Sequence, residues 1–585
     1  FYNSIQNIID RKIYRENYLT EREFTSTEDS YRDNQNANHR INMTIRQKID
    51  SFQNIILKSS FGLNDGLMTN DGSTQVINSV GFIENRGTRM NESDGFNLNL
   101  RTNLTYRRRF RKKGRAFVTD FSFGKQDDER NALIESINTF LPEDPLYAYA
   151  DSIIQSQAQT NNQIDYSVKL TYTEPIGGGK YLSFNVSHQN FNNDVVRDVY
   201  DLVGITNGQG EFNPYLSNQY QRGYLYNRGG IDLKVNKKKY NLTLGVDAQQ
   251  SSLDGNIETS GQIIQQSFFT VLPRLRYNYD FSTSTSLRFD YETRFREPSL
   301  EQLQPIVDNS DPLNLYVGNP DLRPEYSHSG NIHFMTYSQF NFTSFFANIR
   351  TTFTQNKITN SRFIDSLFRQ TTQPVNVNQD FTVNSFLSYS TPLRFMKAKI
   401  RFGGNSMFNR GIVFVNQEES FVSRMISSGS ITLENRKTDV VEISGGGRLS
   451  YTMTRYSQSQ LLNQDFFTQT YYADFAINFA KTWNLSTSLD YSIYSGPAFD
   501  EDQSIPLWRA SISKYFLANK RAQLKLGVID ILNRNLGFSR TSELNYIQEE
   551  SIVSLGRYFM LSLTYNLSKF GNNRGGIDIR MDRHQ

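Results

Sequence analysis

The sequence predicts an all-β chain closed into one large antiparallel transmembrane barrel of about 22 strands. Three observations carry this prediction. Apolar and polar residues alternate with period two over long runs, the polar face of those runs holds Arg, Asp and Glu side by side, and tight turns alternate with long polar connections. Period two puts successive side chains on opposite faces of a strand. Crossing a bilayer with a tilted strand takes about 9–11 residues.

The alternation starts near the N-terminus, in "NHRINMTIRQKID" (Asn38 to Asp50) and "SFQNIILKSSFGLN" (Ser51 to Asn64). "FNLNLRTNLTYRRRF" (Phe96 to Phe110) turns at Lys112–Gly114 into "AFVTDFSFG". "VKLTYTEPIGGGKYLSFNVSH" turns on glycines 177–179, and "IDLKVNKKKYNLTLGVDA" on lysines 237–239. In "LRYNYDFSTSTSLRFDYETRF", Leu275, Tyr277, Tyr279 and Phe281 alternate with Arg276, Asn278 and Asp280. Past a Ser/Thr turn, Leu287, Phe289 and Tyr291 alternate with Arg288, Asp290 and Glu292. Further turns fall near Thr482 and Asn519. The last strand, in "RYFMLSLTYNLSKF", places Phe559, Leu561, Leu563, Tyr565 and Leu567 on one face. About ten tight turns and about eleven polar connections give the strand count, the longest connections running over 126–160, 198–219, 298–324 and 531–551. Short turns at one end and long loops at the other predict periplasmic and extracellular ends.

Soluble β-sandwiches and propellers also alternate. Their strands usually run about 5–6 residues, shorter than many of the runs here. The bilayer explains the composition. A mean hydropathy of -0.57 coexists with 43 Phe and 33 Tyr, because only lipid-facing side chains need be apolar once the backbone is paired in a closed sheet. Tyr and Phe at strand ends suit interfacial girdles. No run is long and apolar enough for a membrane helix. Absence of cysteine excludes disulfides and thiolate metal sites. A formal charge of +4 over 585 residues is too small for a nucleic-acid footprint. Phe1 is not an initiator Met, so the chain is processed or part of a longer one. The barrel is expected over 1–570, with a short periplasmic tail over 571–585.

Chemistry-bearing constellations are few. No G-x-S-x-G, P-loop or H-E-x-x-H occurs, so no enzymatic activity and no cofactor or metal are expected. His328 and His333 are five apart in an extended run and face opposite sides. Arg276, Arg288, Asp290, Glu292, Arg294 and Arg296 share a polar face, read as a charge-balanced lumen wall rather than an acid/base pair. The acidic stretch Asn64–Gly72 lacks EF-hand spacing and is expected to be a solvated loop. Leu133, Ile134, Ile137, Phe140 and Leu141 recur at helical spacing, leaving open a short helix, a hairpin extending the barrel, or a docking patch. A lumen this wide cannot be filled by wall side chains, and no segment reads as a compact plug. The plug is expected upstream of Phe1, from a partner, or from folded-in loops.

"RFREPSLEQLQPIVDNSDPLNLYVGNPDLRPEYSHSGNIHF" (Arg294 to Phe334) resembles the "FR.PS … GNP.L.PE" segment of TonB-dependent outer-membrane receptors. The final stretch, "KLGVIDILNRN" followed by "GRYFMLSLTYNLSKFG", resembles the end of the outer-membrane β-barrel family related to those receptors. In the first motif Pro298 ends a strand and Ser299 with Gln302 has capping-box spacing. Asn319–Pro320 and Arg323–Pro324 stiffen the return before Glu325 re-enters a strand, and Arg296, Asn319, Pro320 and Glu325 read as a strand-rim lock, with direct ligand contact as the alternative. The resemblance implies a transporter barrel of the Gram-negative outer membrane that imports a ligand bound by extracellular loops. It also implies outer-membrane lipid, a plug, TonB and surface lipoproteins as partners. Relatives carry strands upstream of the segment matching Phe1, so the intact barrel is expected to exceed this count if Phe1 lies within a strand. The alternative is a non-transporting barrel serving as scaffold in a larger outer-membrane assembly or secretion complex. The ligand is not specified by any motif.

Overall fold

The computed structural model describes residues 2–566 except 19–22, 142–147, 203–209, 259–260, 306, 309–312, 366–368, 436–439, 458–462, 497–501, 518–519, 543–545 and 554–555. The 27 strands among the described residues belong to one sheet. Three are short pieces within connections: Glu211–Phe212, Val307–Asp308 and Asn314–Val317. Two wall strands are each interrupted once. Ala522–Ile529 continues as Leu536–Ser542, and Tyr546–Val553 continues as Tyr558–Tyr565, the four forming two arms of one hairpin. Setting the short pieces aside and counting each interrupted strand once leaves 22 wall strands, in agreement with the turn count. The ring closes where Asp10–Asn17 of the first strand, Tyr2–Tyr18, pair with Tyr546–Val553.

Side chains sort by face as the alternation requires. Phe184 lies opposite Ile231, and Ile231 opposite Val246, all three exposed. The intervening Ser183, Asp232 and Asp247 are buried. The exposed apolar belt is the outer face, and the polar face lines the interior. Phe559, Leu561, Leu563 and Tyr565 extend the same outer row from Leu524 and Leu526. Leu567 and residues 571–585 lie outside the described residues.

Turns at one end span six residues or fewer, such as 178–179, 237–239 and 283–284. The other end differs from expectation. Residues 126–140 and 149–160 are strand, within Ala116–Phe140 and Tyr149–Gly177, and 536–542 with 546–551 form a hairpin. Asn64–Gly72 likewise lies inside the strand Gln53–Asn78, not in a loop. The physical reason is length. At about 3.3 Å per residue, the 29-residue strand Tyr149–Gly177 is far longer than an apolar band ~25 Å tall requires. Above that band both faces meet water, so Asn, Asp and Gly are tolerated while backbone pairing holds the ladder. The apolar run 133–141 belongs to such a hairpin. Ile134 and Phe140 are buried on the inner face while Ile137 is exposed on the outer one, so its apparent helical spacing samples both faces of a strand.

Buried apolar side chains gather near the loop end. Tyr224, Leu253, Leu303, Leu322 and Ile358 form one cluster, and Phe24, Val76 and Ile364 another.

Candidate functional site

Two features stand out: a charged interior wall and a roof over the mouth. On the wall, Arg276 pairs with Asp290 at 2.7 Å, Arg288 with the same carboxylate at 2.6 Å, and Arg294 with Glu292 at 2.5 Å. Ser329, Asn331 and His333 face them from the next strand, and Arg350 from the one after. All of these except Arg294 line a recess of about 300 Å³. Arg350 makes no ion pair among the described residues. His333 lies in this recess, packed edge-on against Phe346, whereas His328 sits on the other face with its Nδ1 2.9 Å from the Tyr291 hydroxyl. No group of side chains suited to a metal occurs among the described residues.

Sequence reasoning missed a neighbouring ion cluster. Arg274 donates to Asp232 through Nε at 2.9 Å and also pairs with Asp247. Both carboxylates are buried. Their space is provided by glycines on adjacent strands: a Cβ at Gly245 would lie 2.1 Å from Asp232 Oδ1, and one at Gly230 would collide with Asp247. The available signal was Gly two residues before Asp in "GGID" and "LGVD" at matched register.

The roof has two parts. The first is built from the described residues of the connection 297–324, which fold inward. Ser299 and Gln302 cap each other, with Ser299 N donating to Gln302 Oε1 at 2.9 Å and Gln302 N to Ser299 Oγ at 3.2 Å, opening the single turn Leu300–Leu303. The Pro298 carbonyl accepts from buried Arg222 at 2.9 Å. Leu303 and Leu322 are fully buried against Tyr224 and Leu253 of the wall. Asn319 donates through Nδ2 to the Pro374 carbonyl at 3.1 Å, and its own Oδ1 accepts from Asp321 N. Pro320 follows within this return. Tyr316 loses water here, and burial beside Glu301 pushes its phenol up to about 12. Gly318 was also missed: a Cβ there would lie 2.2 Å from the Gln304 carbonyl.

The second part is the tip of the hairpin formed by Ser344–Ile364 and Gln370–Leu393. Antiparallel pairing with the flanking wall strands ends at Gln355 on one side and Phe381 on the other, and the tip rejoins the wall where Ser361 and Arg362 pair in parallel with Phe414 and Val415. Just past Gln355, Asn356 adopts the left-handed region (φ 50), and the tip leaves the wall. Ile364 packs on Phe24 and Val76, while Arg369 lies over the Phe140 ring at 5.8 Å and Arg362 over Tyr546 at 5.4 Å. Asn314 pairs with Gln370, joining the two parts. At the hinge, Glu325 accepts from Lys357 and from Ile358 N, with Arg296 at 3.8 Å. The tip thus touches walls on several sides of the ring.

A closed antiparallel ring, apolar outside and charged inside, with short turns at one end, is a transmembrane β-barrel of the outer-membrane kind. Residues 108–565 match the model of the outer membrane protein β-barrel family, and the chain belongs to that family. Its place is accordingly the cell outer membrane. No curated protein matches the chain. Among solved structures it is similar to the siderophore receptor PirA from Pseudomonas aeruginosa, at 12% identity and TM-score 0.36 over 94% of this chain and 80% of that one. The hemophore receptor HasR of Serratia marcescens gives 11% identity and TM-score 0.42, over 94% and 80%. FpvA of P. aeruginosa, in complex with a pyoverdine, gives 8% identity and TM-score 0.41, over 94% and 72%.

Proposed function

We propose that this chain is the barrel of a TonB-dependent-receptor-like transporter, admitting a ligand captured at its extracellular end into a charged lumen. The observation that carries this reading is the roof. A mouth spanned by a hairpin tip that leaves the wall at a hinge, and lands on small contacts at several strands, is built to be opened. The charge-balanced stripe from Arg274 to Arg350 supports the reading as a hydrated surface for a plug or a passing ligand. The same reading assigns Phe559, Leu561, Leu563 and Tyr565 to the lipid face, and makes TonB and a surface lipoprotein the partners to seek. A scaffold barrel would have no use for an energised mouth, which provides the test.

The chain has no cysteine, so Ile364→Cys places a single thiol beneath the roof. Cells carrying the variant are treated with a membrane-impermeant maleimide, with and without an uncoupler of the inner membrane. A transporter of this kind labels faster in energised cells. Equal labelling in both conditions contradicts energised opening and favours the scaffold.

A further inference from the structure

The outer wall carries a depression, lined by amide and carboxylate side chains together with isoleucines and glycines, that the transport reading does not use. It holds about 630 Å³ and spans five strands just beyond the apolar belt on the loop side. Its floor is Gly223, which faces Asn192 on one neighbouring strand and Asp254 on the other. The next outward row repeats the pattern, with Gln221 between Asp194 and Asn256. Ile164 and Ile263 close opposite corners, both exposed. On the strand Gln262–Ser282 the belt ends at exposed Phe269, and Gln265, which lines the depression, lies four residues before it in the chain, roughly 13 Å along the strand toward the loops.

The chemistry of the rows is specific. Amides offer donor and acceptor together, and carboxylates offer acceptors. None of Asn192, Asp194, Gln221, Asp254 or Asn256 has a side-chain partner among the described residues beyond the depression itself. Asp194 Oδ1 is buried without any hydrogen-bond partner, a cost of about 1–3 kcal/mol unless a donor arrives. The one cation among the lining residues, Arg222, points to the opposite face and is committed to the Pro298 carbonyl. Phosphate is therefore poorly matched. Vicinal hydroxyls, with C–H faces to lie on the isoleucines, are matched well.

We propose that this depression binds the sugar portion of an outer-leaflet glycolipid. Its place on the outside of the wall, on the loop side of the lipid-facing belt, turns it toward the headgroup sugars of that leaflet and away from the transport path. The site holds one glycolipid against the barrel by hydroxyl recognition, with the acyl chains on the belt below.

The test uses the full chain in nanodiscs and rough lipopolysaccharide as probe. Gly223→Phe fills the floor. An added Cβ meets only Asn192 Oδ1, at an ordinary 3.5 Å, so the backbone at this position has room for a side chain. Heat-modifiable migration on a gel verifies folding, and Asp254→Ala is a second variant should the first fail to fold. Expected are retention of rough lipopolysaccharide by the native chain, a loss of at least about tenfold in either variant, no retention of lipid A lacking core sugars, and indifference to EDTA. Unchanged retention in a folded variant overturns the proposal. Equal retention of lipid A, or loss in EDTA, replaces it by phosphate or cation-bridged binding. Free core oligosaccharide binding as tightly as the membrane-borne form overturns the glycolipid source.

Discussion

Glu325 accepts hydrogen bonds from Lys357 Nζ and from the neighbouring Ile358 N, both at 2.9 Å, and so pins the base of the hairpin tip to the strand beside it. The carboxylate is buried, whereas Lys357 is partly exposed. Glu325→Ala leaves the Ile358 amide without its acceptor, and the contact should weaken by about 1–3 kcal/mol. The opening of the tip rises accordingly, read as faster maleimide labelling at Ile364→Cys. Glu325→Gln keeps an acceptor for the amide and should give an intermediate rate.

Gly318 is a position of close approach. The nearest atoms to an added Cβ are the backbone carbonyls of Gln304 and Glu301, at 2.2 and 2.7 Å, which have no side-chain freedom to move. Gly318→Ala should displace the connection 297–324 from the wall at a cost of about 1–3 kcal/mol or more. Limited proteolysis within that connection detects it, with the barrel remaining folded.

At the turn end, Asp50 caps the turn into the strand Gln53–Asn78. Its Oδ1 accepts from the amides of Phe52 and Gln53 at 2.7 Å, and Gln53 Nε2 donates to Oδ2 at 2.8 Å. The Phe52 amide first, then the Gln53 side chain, hold the carboxyl below its ordinary 3.8. Because the folded value is the lower one, the contribution is fully present above the ordinary value and fades as pH falls through the folded value. Protection of the Phe52 and Gln53 amides, taken relative to their intrinsic exchange at each pH, should be full above the ordinary carboxyl value and fall as pH drops below it. Asp50→Ala should show the fast rate at every pH, whereas Asp50→Asn retains the acceptor.

The face assignment admits a one-residue contrast. Ile349 is exposed on the apolar side opposite Ile332, while Arg350 beside it faces the charged recess. Ile349→Arg puts a charge on the lipid-facing side and should destabilise the barrel by about 2–4 kcal/mol. Urea unfolding in lipid vesicles measures this, and Arg350→Ile should cost far less.

Much of this architecture was legible in the alternation. Runs such as Leu275–Phe281 and Leu287–Tyr291 declare their two faces because burial in lipid and exposure to water impose opposite demands at adjacent positions. The ion pairs of Arg276, Arg288 and Asp290 followed from that same parity, and the mutual cap of Ser299 and Gln302 from local spacing. The roof was not legible. Ile364 meets Phe24 and Val76 across the ring, and nothing local to "SRFID" records a partner some 300 residues away. Arg222 hid for a related reason: with Tyr220, Tyr224 and Tyr226 on its own face, it looks like part of an apolar lipid-facing row until the connection 297–324 is placed on it. The hairpins beyond the belt were mistaken for loops because period-two patterning lapses where water bathes both faces.

The most direct test of a gated mouth is single-channel conductance of the purified chain in planar bilayers. Val76→Cys and Ile364→Cys are combined, and the two thiols are bridged by a short bis-reactive linker. Under a voltage applied to displace the tip, openings are expected when the bridge is absent, and their loss is expected when it is formed. Conductance unaffected by the bridge would contradict the claim that this hairpin tip closes the mouth.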